Sequence, residues 1–280
     1  MSKILSIADH SRSFKKFSYI YPVVSRRANS ISLGINLNIN NACNWRCIYC
    51  QVEGLVRGKP NPVDLVKLEL ELDQMLDWIV NGNFVHEFAP LGMQRFNDIC
   101  LSGNGESTLS VNFVAVCDII ARLRLKYRLS EQVKTILISN GSEMHQVEVR
   151  QGLRIIAANN GEIWFKIDRG SVNGISSVNQ VALSQASVLQ RLAISASICP
   201  TQIQSCWFST QGIEPDEREV DAFINLLKPV KDILNGVLLY STARNPALAE
   251  GKHISQVSEV FMLHLQSQLR QHGIKASFHI

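Results

Sequence analysis

The chain has 280 residues, a net charge of +4, 46% hydrophobic residues and 19% charged ones. That balance excludes a disordered or low-complexity chain and supplies enough apolar side chain for a sizeable core. The mildly basic charge admits an anionic partner such as RNA without requiring one.

The opening stretch, MSKILSIADHSRSFKK, lacks the apolar core of a signal peptide. No later run approaches the roughly 18 apolar residues needed to span a bilayer, so a cytoplasmic protein with no membrane contact is expected. Residues 1–30 read as a basic and aromatic extension, in which Lys15, Lys16, Arg26 and Arg27 are interleaved with Phe14, Phe17, Tyr19 and Tyr21. These residues form either a solvated face beside core rings or an arm that contacts phosphate.

From residue 31 onward, apolar runs alternate with helical patterns. Strands are expected at Ile31–Leu37, Asp98–Ser102, Lys134–Ser139, Glu162–Asp168, Gln202–Phe208 and Gly236–Ser241, most of them ending in Gly, Ser or Asn. Helical periodicity covers Val63–Val80, Val111–Lys126, His145–Ala158, Val178–Ile194, Glu217–Leu226 and Val257–Gln271. A last short strand, Lys275–His279, closes an edge. Six successive βα units predict a parallel sheet with helices outside, as a full or partial (β/α) barrel or a doubly wound sheet. No linker divides the chain, so residues 31–246 read as the core and 247–280 as a C-terminal helix and strand of one domain.

In barrels of this kind the chemistry sits at the C-terminal ends of the strands. The polar loops obey that rule. A cysteine loop follows the first strand, Gly103-Asn104-Gly105-Glu106 the second, and Asn140-Gly141 the third. Lys166 and Asp168 end the fourth strand, and Ser241 to Arg244 follow the sixth. The cysteine loop reads Cys43-Asn44-Trp45-Arg46-Cys47-Ile48-Tyr49-Cys50. Three close thiolates with no paired fourth ligand suit a cubane iron–sulfur cluster with one open iron; zinc is the alternative, and it would need a fourth ligand from elsewhere. A thioredoxin-type redox pair is disfavoured, because the Cys47–Cys50 pair opens no helix after the matching strand.

The C-x-x-x-C-x-x-C spacing, with an aromatic before its last cysteine, resembles the radical S-adenosylmethionine superfamily. Ser25-Arg26-Arg27, Ser32-Leu33-Gly34-Ile35 and Gln51 resemble the branch related to the wyosine-tRNA synthases. The likeness runs from about Tyr21 to Pro246. It implies a partial (β/α)6 barrel carrying a [4Fe-4S] cluster on Cys43, Cys47 and Cys50, with S-adenosylmethionine on the fourth iron. It also implies reductive cleavage of that cofactor and a reducing protein such as flavodoxin or ferredoxin. Tyr49 then lies near the adenine or braces the loop. The turn Gly103 to Glu106 meets the methionyl ammonium or serves only as a turn, with Glu106 ordering it or meeting the cation. Ser107 stands where the branch often has proline. Asn140 matches a strand-end asparagine that reaches the cofactor.

Alternation puts Lys166 and Asp168 on one side, opposite Phe165 and Ile167. They contact ribose or substrate, or they form an ion pair at the barrel mouth. Gln204 is expected to face inward. Arg244 holds a carboxylate or lies on the surface. Cys100 and Cys117 are expected in the core, and Cys199 and Cys206 could reach an auxiliary cluster only with outside help. No cysteine precedes Cys43, which argues against the wyosine reaction itself. The substrate is a small molecule, a peptide or an RNA base. The reading from another class is a non-catalytic iron–sulfur or zinc protein.

Overall fold

The computed structural model describes residues 4–6, 12–25, 29–242 and 244–279. Arg26, Arg27 and Ala243 fall outside them. The chain enters on an antiparallel hairpin, β1 (Ile20–Ser25) and β2 (Ser30–Ile35). The cysteine segment contributes a two-residue ladder, β3 (Ala42–Cys43) with β4 (Val56–Arg57). Helices α1 (Leu65–Val80) and α2 (Phe84–Phe88) lead to β5 (Phe96–Leu101). Next come α3 (Phe113–Lys126), β6 (Lys134–Ser139), α4 (Val147–Ala158) and β7 (Gly161–Lys166). Helices α5 (Val172–Asn179) and α6 (Gln185–Ile198) precede β8 (Thr201–Cys206) and the short β9 (Phe208–Thr210). The chain ends with α7 (Glu217–Leu227), β10 (Gly236–Tyr240), β11 (Ile254–Gln256), α8 (Glu259–Gln271) and β12 (Ala276–His279).

One eight-stranded sheet has the order β1-β2-β5-β6-β7-β8-β10-β12. Only the β1–β2 pairing is antiparallel; every later neighbour is parallel. Each new strand is laid beside the last, so the sheet curls into an incomplete barrel. The period of two then sorts the side chains. Ile99, Leu101, Leu137, Ile163, Phe165, Ile203 and Leu239 join the core with helix residues such as Leu72, Met75, Ile120, Leu153 and Phe223. The alternate residues Asp98, Cys100, Ile136, Trp164, Lys166 and Gln204 line the concave side.

The structure departs from the sequence expectation in three places. Residues 20–25, read as part of an N-terminal extension, form the sheet's first strand. Pro22 obscured it, but an edge strand tolerates the missing N–H. The helix expected over Val178–Ile194 is two helices. Gln180 takes a left-handed conformation (φ 53°) and Ser184 caps α6 by accepting from the Ser187 amide, so the chain stops and restarts. The strand expected to reach Phe208 ends at Cys206, and Phe208 pairs instead with Gln256 of β11.

The N-terminal aromatics resolve toward the core. Phe14 meets Phe84 and Phe88 edge-on at 5.7 and 5.8 Å, and Lys15 Nζ lies 3.9 Å from the Trp78 ring centroid. The Glu71 carboxylate accepts from the Ser18 and Tyr19 amides, tying this segment to α1.

Tyr21 stands across the hairpin from Gly34, and its ring lies where a Cβ on residue 34 would come within 2.2 Å of Cζ. The ring forms part of the concave wall, with its hydroxyl 3.0 Å from Ser102 Oγ. Gly34→Ala should therefore expel the ring and cost about 1–3 kcal/mol, read as a lower urea midpoint. Tyr21→Phe should fall well short of that loss.

Candidate active site

The cysteine loop is held by its surroundings more than by itself. The Cys50 amide donates to the Cys47 carbonyl (2.9 Å), closing the turn between those two. The Arg46 and Ile48 amides donate to the carbonyls of Asn179 and Val178, which end α5. The Cys43 carbonyl accepts from Gly58, and the Cys50 carbonyl accepts from Ala247 on the loop after β10. All three thiols are half-buried. Burial pushes the Cys43 thiol up to about 11 and the Cys47 thiol to about 12, with the Glu106 and Asp168 carboxylates adding to the shift. Such a site disfavours uncompensated thiolates and favours a cationic group that offsets them.

Asp168, 1% exposed, is the hub beside this loop. Its Oδ2 accepts from Tyr49 Oη at 2.6 Å and from Asn179 Nδ2 at 2.7 Å. Its Oδ1 accepts from the Cys206 amide at 2.9 Å and faces Lys166 Nζ at 3.8 Å. Lys166 also donates to Tyr240 Oη (2.9 Å) and lies 5.1 Å from the Tyr49 ring centroid. Burial works against the Lys166 charge, but Asp168 outweighs it and holds the ammonium above its ordinary range. The expected juxtaposition of Lys166 and Asp168 is present, as an ion pair on the concave side, with Phe165 and Ile167 in the core. Tyr49 braces the loop through its hydroxyl.

Asn179 was not singled out from the sequence. It ends α5 at 1% exposure, and its Nδ2 donates to Cys47 Sγ at 3.2 Å as well as to Asp168. Only the break at Gln180 brings it there, and the continuous periodicity around it hid that break.

The glycine turn after β5 packs against the loop after β2. A Cβ on Gly103 would come within 2.3 Å of Asn36 Oδ1, and one on Gly105 within 2.1 Å of the Ala42 carbonyl oxygen. Asparagines knit these loops together. Asn36 Oδ1 accepts from the Asn38 and Asn104 amides. Asn104 Nδ2 donates to Asn41 Oδ1 (2.6 Å), Arg12 donates to Asn104 Oδ1 (2.6 Å), and Asn140 Nδ2 donates to Asn44 Oδ1 (2.9 Å). Glu106, 3% exposed, accepts from the Thr108 amide and hydroxyl, from Ser139 Oγ (2.9 Å) and from the Asn140 amide (2.6 Å). Of the two roles open to Glu106, the ordering one is visible. Burial pushes its carboxyl up, against the pull of those donors.

Together these loops roof a cavity of about 380 Å³. Cys43, Cys47, Tyr49, Cys50, Gly103 to Glu106, Asn140, Lys166 and Arg244 all line it. The sequence-predicted site residues that border the cavity therefore come together, except that Asp168 stands just behind Lys166. Gln204 faces inward as expected. Arg244 joins the lining, and its carbonyl accepts from Gln51. Arg12, Trp164 and His279 are wall residues that the sequence did not flag.

Cys117 is in the core, and Cys100 borders the cavity from β5. Cys199 caps the end of α6 just before β8 and Cys206 ends that strand, so the two lie roughly 20 Å apart at strand rise. One auxiliary cluster cannot take both. Among the described residues no helix is long and apolar enough to cross a membrane.

No family model matches the chain. A UPF0026 protein of Helicobacter pylori is 28% identical over 134 residues, 48% of this chain and 38% of that protein. The chain thus spans well under half the length of that curated relative. Over 93% of its length the structure superposes on a radical SAM methyltransferase from Sphaerobacter thermophilus, with a TM-score of 0.63, 12% identity and 68% of that chain covered. Streptococcus suis SuiB, solved bound to S-adenosylmethionine, matches 90% of this chain and 48% of its own at a TM-score of 0.56 and 11% identity. The fold is that of the radical S-adenosylmethionine enzymes. Neither likeness singles out the wyosine-related branch.

Glu106→Gln places an amide N–H against one of the donors that Glu106 now accepts from, at a cost of about 1–3 kcal/mol. The wild-type carboxyl holds its proton above the ordinary range, so its stability contribution is greatest at low pH and is lost as pH rises through the folded value. Chemical denaturation across a pH series should show that decline in wild type and its absence in the variant.

Proposed function

We propose that this chain is a radical S-adenosylmethionine enzyme. Cys43, Cys47 and Cys50 would carry a [4Fe-4S] cluster, and the adjoining cavity would take S-adenosylmethionine and substrate. One observation carries the reading: three half-buried thiols on a single loop open onto the cavity that the other strand-end loops enclose. The donor set fits the group. Three cysteines on one loop match a cubane, which takes one cysteine at each of three separate irons.

Held by Cys43, Cys47 and Cys50, the cluster would supply one-electron reduction of S-adenosylmethionine, the chemistry that splits it into methionine and a hydrogen-abstracting 5′-deoxyadenosyl radical. The chain's own residues do the rest. The backbone at Gly103, Asn104 and Gly105, which lines the cavity, would receive the methionyl end, and Glu106 fixes that turn and the Asn140 loop in one geometry. Arg244 offers a bidentate partner for a carboxylate. Tyr49 lines the cavity while its hydroxyl is fixed on Asp168. The enclosed, curled wall limits water and competing hydrogen donors around a reactive carbon centre.

The substrate, or the part of it that reacts, would enter this cavity as one small unit: a small molecule, a peptide side chain or a single RNA base. Lys15 is committed to Trp78, which removes one cation from a phosphate-contacting arm. The setting we propose is the reducing cytoplasm, with flavodoxin or ferredoxin as electron donor.

Anaerobic reconstitution with iron and sulfide, followed by dithionite and S-adenosylmethionine, should yield 5′-deoxyadenosine from the wild type. Cys47→Ala should lose both the cluster absorbance and the nucleoside, down to the protein-free level. Unaltered turnover in that variant, or zinc held by four side chains in anaerobically purified protein, would overturn the assignment.

A further inference from the structure

We propose that Asn179 is a positioning residue that sets how readily the cluster on Cys43, Cys47 and Cys50 accepts its electron. The inference rests on the function proposed above and concerns a side chain outside the cysteine motif.

The Asn179 amide nitrogen has two hydrogens and two acceptors, Asp168 Oδ2 at 2.7 Å and Cys47 Sγ at 3.2 Å. Both partners only accept when ionised, so the nitrogen, and not the oxygen, must face them. The side chain is 1% exposed and has no room to rotate toward solvent. The backbone of the same residue fixes the distance: the Asn179 and Val178 carbonyls accept from the Arg46 and Ile48 amides on either side of Cys47. Asp168 is in turn held by Tyr49, the Cys206 amide and Lys166. The amide is therefore anchored at both ends, with one hydrogen directed at a ligand sulfur.

Adding an electron makes the cluster more anionic and its sulfurs better acceptors. A fixed N–H at one sulfur therefore stabilises the reduced state more than the oxidised one and raises the potential. The Asp168 carboxylate behind it acts in the opposite sense, as a nearby negative charge. The two neighbours consequently make opposed contributions, and substitutions at the two positions should separate them.

Wild type, Asn179→Leu, Asn179→Ala and Asp168→Asn would be reconstituted anaerobically and assayed for iron and sulfide. The midpoint potential of each would be read by redox titration with electron paramagnetic resonance detection. The asparagine variants should carry the wild-type iron content and be about tenfold less reduced at a fixed donor potential, a shift of about 59 mV downward for one electron. Asp168→Asn should shift upward. If Asn179→Leu fails to fold, the alanine variant, which only vacates space, gives the same reading. A wild-type potential in a fully loaded asparagine variant would overturn the proposal. So would shifts of the same sign at both positions, which mere loosening of the loop would give. A wild type that assembles no cluster would instead fell the function proposed above, and this inference with it.

Discussion

A buried carboxylate organises the loops at the strand ends of this protein. Asp168 follows the end of β7, and from there it joins the cysteine loop, the end of α5, the end of β8 and a buried lysine. A carboxylate so removed from water persists only if its lone pairs are filled and its charge is met. Three hydrogen bonds and Lys166 do both. The cysteine loop has little regular structure of its own, and the partners of Asp168 fix where it stands relative to the sheet.

The asparagine lattice does a related job with neutral groups. Loops at the ends of parallel strands leave backbone amides without ladder partners, and burying them unpaired is costly. Asn36, Asn38, Asn104 and Asn140 take up those amides or bridge one loop to the next. Glu106 closes the lattice between β5 and β6. The small residues at 103 and 105 belong to the same arrangement, since any side chain there would strike Asn36 or the Ala42 carbonyl. Glycine here serves the packing of the protein against itself.

Much of this was legible beforehand because the governing patterns are local. The six parallel strands declared themselves through short apolar runs ending in Gly, Ser or Asn, and the cysteine spacing is dense enough to stand out. Lys166 and Asp168 were placed on one face by strand alternation alone. What escaped were features decided by distant partners. The strand carrying Pro22 depends on an edge position that only the assembled sheet defines. The break at Gln180 was hidden under a continuous apolar register, and Asn179 with it; the cap at Ser184 was the one local sign. Arg12, Trp164 and His279 carry no motif, and only the curl of the sheet brings them to one wall.

The polar partners that hold the roof are satisfied largely among themselves, while the concave wall below is built from alternate positions of separate strands. Residues such as Trp164 and Ile138 line the chamber from β7 and β6. Exchanging them would reshape the chamber one strand at a time, while the loops above keep their own contacts. The same architecture can thus be refitted for a new guest by changing its walls and leaving its ceiling alone.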